Sequence, residues 1–306
     1  MEEHGLVAHA TTMANSILCI GEVLWDVYPD ARHLGGAPFN VACHLRALGR
    51  EAAFASRVGR DELGEEILRA VKEHDIATKL IECDPALPTG TVIVSFPAPD
   101  EPAYDIKHPA AWDAIEPTAE LLAAVDEADA VVFGTLAQRS ERSRQTIHEV
   151  IGRCPGTIVC DVNLRPPYDD PGICQSSLER SDIAKVNDEE LRTLAEWFGL
   201  PEDERKAAGA LARRFSLRTV CATRGGEGAA LWQDGRWLER PGCPVKVVDA
   251  VGAGDAFLAS SLNDLLVEND PDAALARANA VGAYVASQAS ATPPLDLNRI
   301  QKLCNG

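Results

Sequence analysis

Residues 247–258 read VVDAVGAGDAFL. Gly252, Ala253 and Gly254 stand directly before an acid, Asp255, and an apolar run with helical spacing follows. A turn of small residues at a helix start leaves backbone N–H groups bare, and the positive end of the helix dipole adds to them. Such a turn holds an anion, phosphate above all. It is not a Walker A loop, because no G-K-[ST] follows, and Phe257 occupies the third glycine's place in a dinucleotide fingerprint. Asp255 has two readings on local grounds. It complements the dipole as a first-turn acid, or it deprotonates a hydroxyl that attacks a phosphoryl group held next door.

A second glycine pair opens LGGAPFNVACHLRALG, where Gly35 and Gly36 precede a helix expected to begin near Asn40. Gly-Gly allows a small ligand to approach the backbone. Asn40 offers a donor and an acceptor together, as a polyol requires. Asp26 is an acceptor-only carboxylate suited to two adjacent hydroxyls, or else a solvated loop acid.

These residues need a frame to bring them together. From Ile17 onward, strand-like apolar runs alternate with amphipathic stretches: ILCIGEV, AAFASRVG, ADAVVF, GTIVCD, SDIAKV, RTVCAT and VKVV read as strands. Residues 253–268 and 272–288 read as two closing helices. Alternation of this kind predicts an α/β fold, an αβα sandwich around a mostly parallel sheet. Polar residues cluster just after the apolar runs, and the C-terminal ends of parallel strands share one ligand-binding edge. Arg165, Asn187, Glu190, Thr223 and Gly225 are therefore expected to converge. Asn187 taken alone also reads as a helix cap. Two Pro-rich alternating stretches, 23–34 and 91–112, break the rhythm and predict a small β-sheet lid. Trp25, Val92, Val94 and Phe96 alternate there as if one face needs burial. The expected cover is the same flap of a second copy, giving a homodimer joined through the lids.

Composition bounds the function classes. The 306 residues are 46% hydrophobic and 25% charged, with a net charge of −18. No Lys/Arg block is present, so nucleic acid is an unsuitable partner. No apolar run approaches a membrane span. Residues 1–15 read as a disordered lead-in, and 16–306 as one domain. Nine cysteines without a C-x-x-C pair suit reduced thiols in the cytoplasm.

DAVGAGDAF (249–257) and GGAPFNVA (35–42) resemble, in this order, the C-terminal and N-terminal motifs of the ribokinase-like (PfkB) sugar kinases. The resemblance runs from about Ile17 to about Pro294. GEVLWD, GTLAQRS and DVNLRPP look most like the fructokinase branch. The resemblance implies ATP-dependent phosphorylation of a sugar primary hydroxyl, D-fructose first, with Mg²⁺. Asp255 would be the base, with Gly252, Ala253 and Gly254 as the anion hole. Asp26, Gly35, Gly36, Asn40 and Asn163 would bind the sugar, and Arg165 would sit near the phosphoryl-acceptor end. Asn187 and Glu190 would serve the phosphates and the waters of Mg²⁺. Thr223, Gly225, Gly228 and Asn279 would line the nucleotide pocket. Asp249 and Val251 match a monovalent-cation (K⁺) site of some members. Residues 286–292 depart from it, reading ASQASAT where relatives usually carry a glycine near position 290. Ribose, a nucleoside or a 2-keto-3-deoxy sugar acid are the alternative acceptors. A sugar acid would need a further cation, for which Arg32 and Lys107 are on offer. A non-catalytic sugar-binding regulator is the reading from another class.

Overall fold

The structure, a computed structural model, describes residues 16–98, 101–266 and 270–305. The lead-in expected over 1–15 and the side chain of Phe96 lie outside the described residues. The strands are β1 (Ser16–Ile20), β2 (Leu24–Val27), β3 (Arg32–Gly35), β4 (Glu51–Gly59), β5 (Ile81–Asp84), β6 (Gly90–Ala98) and β7 (Glu101–Ile106). They continue as β8 (Ala130–Gly134), β9 (Thr157–Asp161), β10 (Ile183–Asn187), β11 (Thr219–Thr223), β12 (Ala229–Gln233) and β13 (Arg236–Arg240). The helices are α1 (Ala37–Ala47), α2 (Glu62–Glu73), α3 (Ala119–Asp126), α4 (Glu141–Arg153) and α5 (Pro171–Leu178). They continue as α6 (Asp188–Phe198), α7 (Glu204–Phe215), α8 (Ala253–Leu265), α9 (Pro271–Ala286) and α10 (Leu297–Cys304).

Nine strands form one sheet in the order β13-β12-β11-β10-β9-β8-β1-β4-β5. The pairs from β11 to β5 are parallel, and β12 and β13 close one edge as an antiparallel hairpin. Period-2 alternation feeds both faces. In β1, Leu18 and Ile20 enter an apolar layer with residues of α3 to α7, while Ile17 and Cys19 enter the opposite layer with α1, α2, α8 and α9. This is the expected αβα sandwich.

The second sheet has the order β3-β2-β6-β7 and is built from the two stretches that broke the rhythm. Its strands end at Ile106. Residues 107–110 are a connection, and Ala111–Ala114 is a short 3-10 turn rather than a strand. The register also corrects the expected apolar face. Asp26 pairs in parallel with Val92, and Trp25 with Thr91, so Trp25 points away from Val92 and Val94. Val92 and Val94 are buried against the body of the same chain. Trp25 turns to the other side, where its Nε1–H donates to Leu63 O at 3.2 Å.

Two further expectations fail. The run VKVV forms no strand. Val247 and Val248 are 60% and 57% exposed, and the chain there is tied instead to the end of α9, where Ala286 O accepts from the amides of Val248 and Asp249. β-Branched residues raised the strand propensity, but no neighbouring strand offers a ladder. Helix α1 begins at Ala37, three residues before Asn40, because Pro38 suits a first turn.

Candidate active site

The numerical order of the strands reverses between β8 and β1, the switch point at which open α/β sheets bind ligands. A cleft of about 630 Å³ opens there along the C-terminal strand ends. Asp26, Val92, Tyr104 and Ile106 of the small sheet wall one side. The loops after β9, β10 and β11 and the start of α8 wall the rest.

Two glycine-capped helices meet at this cleft. Gly252 caps α8 with φ 79°, and a Cβ there would stand 2.4 Å from Ala291 O. Gly36 caps α1 with φ 118°, and a Cβ there would stand 2.4 Å from Glu22 O. Neither position tolerates a side chain. The helices are bonded to each other: Asn40 Nδ2 donates to Asp255 Oδ2 at 2.8 Å, and both residues are buried. One turn beyond Asn40, buried His44 meets Ala291 O through Nε2 at 2.9 Å. Burial holds this imidazole down at about 4, so it is neutral and donates. At the far end of α1, Arg50 donates to Asn263 Oδ1 and O, both at 2.6 Å. The carboxylate of Asp255 is thereby fixed beside the backbone amides of Gly254 and Asp255, which have no acceptor among the described residues.

Three acids on the cleft wall have raised pKa values. Asp255 is pushed up to about 6 by burial and by Asp161, against the pull of Lys185, the Asn40 hydrogen bond and Arg165. A helix N-terminus alone would hold it low, as its sequence position suggests; burial outweighs the dipole. It remains mostly ionised at neutral pH and is a better base for the shift. Asp26 rises to about 6 through burial, opposed by Arg165 and His33. Glu22 rises to about 7, again through burial. Glu22 Oε1 accepts from Ala37 N–H at 3.3 Å, while Oε2 is buried without a partner. Arg165 acts on all three acids, and its one hydrogen bond among the described residues goes to its neighbour's carbonyl, Leu164 O.

The remaining expected residues fall into two groups. Gly35, Asn163, Asn187, Thr223, Gly225, Gly228, Val251, Ala253 and Asn279 reach the cleft wall. Asn163 does so at φ 42°, a left-handed conformation that Asn tolerates. Glu190 and Asp249 do not reach it. Glu190 is buried behind the wall, where Oε1 accepts from Leu164 N–H at 3.0 Å and Oε2 from Asn187 N–H at 2.8 Å. Asn187 Oδ1 in turn accepts from Glu190 N–H at 2.7 Å, closing a capping box at the start of α6. Asp249 Oδ1 accepts from Val251 N–H at 2.9 Å. Arg32 and Lys107, the cations offered for a sugar acid, are also off the wall: Arg32 pairs with Glu66 at 2.5 Å, and Lys107 pairs with Asp105.

Sequence reasoning missed Glu22, Asp161 and Lys185. Lys185 Nζ donates to Asp161 Oδ1 at 3.0 Å, and both side chains are buried beneath the anion loop. The usable signal was a lysine inside the apolar run IAKV, since a buried strand admits a charge only with a partner. Glu22 carried a similar signal, an acid two residues after the buried strand β1.

Comparison with known proteins agrees with this geometry. The pfkB family carbohydrate kinase pattern matches residues 15–298. The fructokinase of Klebsiella pneumoniae is 28% identical over 279 residues, covering 85% of this chain and 87% of the relative. That of Rhizobium leguminosarum bv. trifolii is 30% identical over 269 residues, covering 83% and 80%. The fold is shared with the ATP-bound fructokinase of Xylella fastidiosa, with a TM-score of 0.86, 22% identity and coverage of 96% and 99%. It is shared too with a Vibrio cholerae fructokinase bound to fructose, ADP and calcium, with a TM-score of 0.81, 24% identity and coverage of 95% and 99%. On a family match spanning nearly its whole length, and with both glycine motifs on one cleft, this chain belongs to the pfkB family of carbohydrate kinases.

Proposed function

We propose that this protein transfers the γ-phosphoryl group of ATP to the primary hydroxyl of a neutral sugar, D-fructose first. The observation that carries the reading is Asp255, a buried carboxylate fixed by Asn40 directly beside the open amides of the anion loop. Asp26, Asn40 and the Gly35–Gly36 backbone hold the sugar, with Asn163 on the same wall. Asp255 takes the proton of the attacking hydroxyl. The new O–P bond forms as the bond to the β-phosphate oxygen breaks, and ADP leaves. The amides of Gly254 and Asp255 stabilise charge on the moving group. Thr223, Gly225, Gly228 and Asn279 border the nucleotide end, and Arg165 stands at the acceptor end.

Mg²⁺ would enter with the nucleotide, which would supply most of its ligands. Among the described residues, no three His, Cys, Asp or Glu side chains gather to hold a metal. A nucleotide-borne Mg²⁺ takes its ligands largely from phosphates and water and neutralises phosphate charge. Glu190, with both oxygens engaged behind the wall, would meet it through water. A monovalent ion suits the residues less well. Asp249 is turned onto Val251 N–H, and Ala286 O and Ala291 O already accept from the Val248 and Asp249 amides and from His44. No step is assigned to K⁺.

A sugar-acid acceptor is disfavoured because the wall carries three acids and Arg32 and Lys107 are paired elsewhere. Nine free cysteines suit a reducing cytoplasm. Lid-to-lid dimerisation stays part of the proposal on a narrower basis: β3 and β7 are the outer strands of the small sheet, and Ile93 is exposed on its outer face. A fully active monomer in sedimentation at micromolar concentration would remove that part. The function itself is tested by coupled ADP-release assays with ATP and Mg²⁺ over a sugar panel. Fructose is expected to give the highest kcat/KM. A higher value for ribose, a nucleoside or a 2-keto-3-deoxy sugar acid overturns the acceptor. Turnover of no sugar at all favours a binding protein.

A further inference from the structure

Strand β10 carries one ammonium group into the protein interior. Lys185 is 5% exposed and Asp161, its partner, 2%. The pair is 3.0 Å long, and Asp161 Oδ2 is buried with no partner among the described residues. An arrangement left half-satisfied is a poor way to gain stability, since desolvating two charges can outweigh their attraction. Position offers a better account. Lys185 lies on the cleft wall, and a Cβ at Gly254 would stand 3.2 Å from its Nζ. The ammonium group therefore rests against the anion loop at Gly254.

The charge balance around the cleft sets its task. The lining side chains include the carboxylates of Asp26 and Asp255, in a chain of net charge −18. A triphosphate enters this field against repulsion. Arg165 and Lys185 are the two cationic side chains among the lining residues. Arg165 belongs to the acceptor end and is exposed. Lys185 is fixed under the loop. Burial would lower its pKa, but Asp161, Glu190 and Asp255 outweigh burial and hold it above the ordinary lysine value.

We propose that Lys185 is a catalytic residue that binds the non-bridging oxygens of the transferring phosphoryl group beside Gly254, with Asp161 as the positioning residue that holds its ammonium group under the loop. The proposal rests on the kinase reading. Lys185 donates hydrogen bonds and loses no proton. The hydroxyl proton goes to Asp255, the O–P bond to the sugar forms, and the bond to ADP breaks. Gly254 is needed here because a side chain would stand between the ammonium group and the phosphate.

The test compares wild type with Lys185→Met and with the double variant Lys185→Met/Asp161→Asn. The single variant leaves Asp161 charged and unpaired in the interior and is expected to fold poorly. The double variant removes both charges, and their opposed influences on Asp255 cancel in part. It is expected to keep wild-type secondary structure and cooperative melting. Its kcat is expected to fall ~10²–10³-fold, with the sugar KM changed less than about threefold. Its affinity for MgATP, read by calorimetry, is expected to fall about ten- to hundredfold while that for MgADP is nearly unchanged. A folded double variant with wild-type kcat and an unchanged ATP-to-ADP affinity ratio overturns the role. If the double variant also fails to fold, Lys185→Gln/Asp161→Asn is measured for the same affinity ratio, and an unchanged ratio overturns the role. A wild type that binds MgATP but turns over no sugar overturns the kinase reading separately, and the affinity ratio still decides whether Lys185 meets the γ-phosphate.

Discussion

The N-termini of α1 and α8 look alike locally and behave differently. Each follows a glycine at positive φ, and neither has a side chain from its capping residue bonded to it. At α1 the first two helical positions offer no free donor. Ala37 N–H donates to Glu22 Oε1, and Pro38 has no N–H to offer. At α8 the amides of Gly254 and Asp255 have no acceptor among the described residues, and Lys185 adds a positive charge below them. One helix start is thus partly filled by the carboxyl group of Glu22, and the other is open. A glycine-rich turn prepares a helix end for a ligand, and the neighbouring charge decides which ligand enters.

The sharpest test of this difference is Asp255→Asn. Turnover is expected to fall ~10²–10⁴-fold, with thermal melting and ATP binding nearly unchanged. In the wild type, kcat/KM is expected to decline on the acid side with an apparent pKa near 6 as Asp255 protonates. A variant retaining most of its turnover would leave Asp255 as a dipole partner only.

Next come the two capping glycines, each replaced by alanine. Both new Cβ atoms would stand 2.4 Å from a carbonyl oxygen, at positive φ. Strain of this kind is worth ~1–3 kcal/mol, or roughly ten- to hundredfold in rate or affinity. Gly252→Ala is expected to lower kcat, whereas Gly36→Ala is expected to raise the sugar KM. Matching effects on the same constant would erase the distinction between the two helix ends.

Asp26→Ala is expected to raise the sugar KM about tenfold or more through loss of a charged hydrogen-bond acceptor, while the ATP KM moves little. Comparable changes in both constants would detach Asp26 from the sugar.

The smallest change in turnover is expected of Glu22→Gln, where stability is the informative readout. Burial holds Glu22 neutral in the fold up to about pH 7, against a value of 4.5 for a free carboxyl. The stability this gives is full below pH 4.5 and is lost as pH rises through 7. The loss at alkaline pH is on the order of 3 kcal/mol. The Gln variant therefore melts higher than wild type at pH 8, and the advantage disappears at pH 4. An advantage equal at both pH values would mean that Glu22 is not held neutral.

Local sequence determined most of the frame. Short apolar runs at β1, β4, β8, β9, β10 and β11, alternating with amphipathic stretches, marked the sheet, since parallel strands buried on both faces read as near-continuous apolar runs. Gly252–Asp255 marked the anion loop, because a bare turn, an acid and a helix are neighbours in the chain. Arg165, Asn187, Thr223 and Gly225 were found through the rule that strand ends share an edge, and Asp26 and Asn40 through side-chain groups that suit a polyol. Tertiary structure alone decided the rest. VKVV has the composition of a strand, but nothing pairs with it there. Trp25 and Val92 belong to different strands, and only the register of β2 on β6 puts them on opposite faces. Glu190 sits at capping-box spacing, and packing behind β9 and β10 turned both of its oxygens inward. Glu22 lies 15 residues before Ala37, and Asp161 lies 24 residues before Lys185. Their roles depend on burial and on charges brought close by the fold, and neither quantity exists in the unfolded chain.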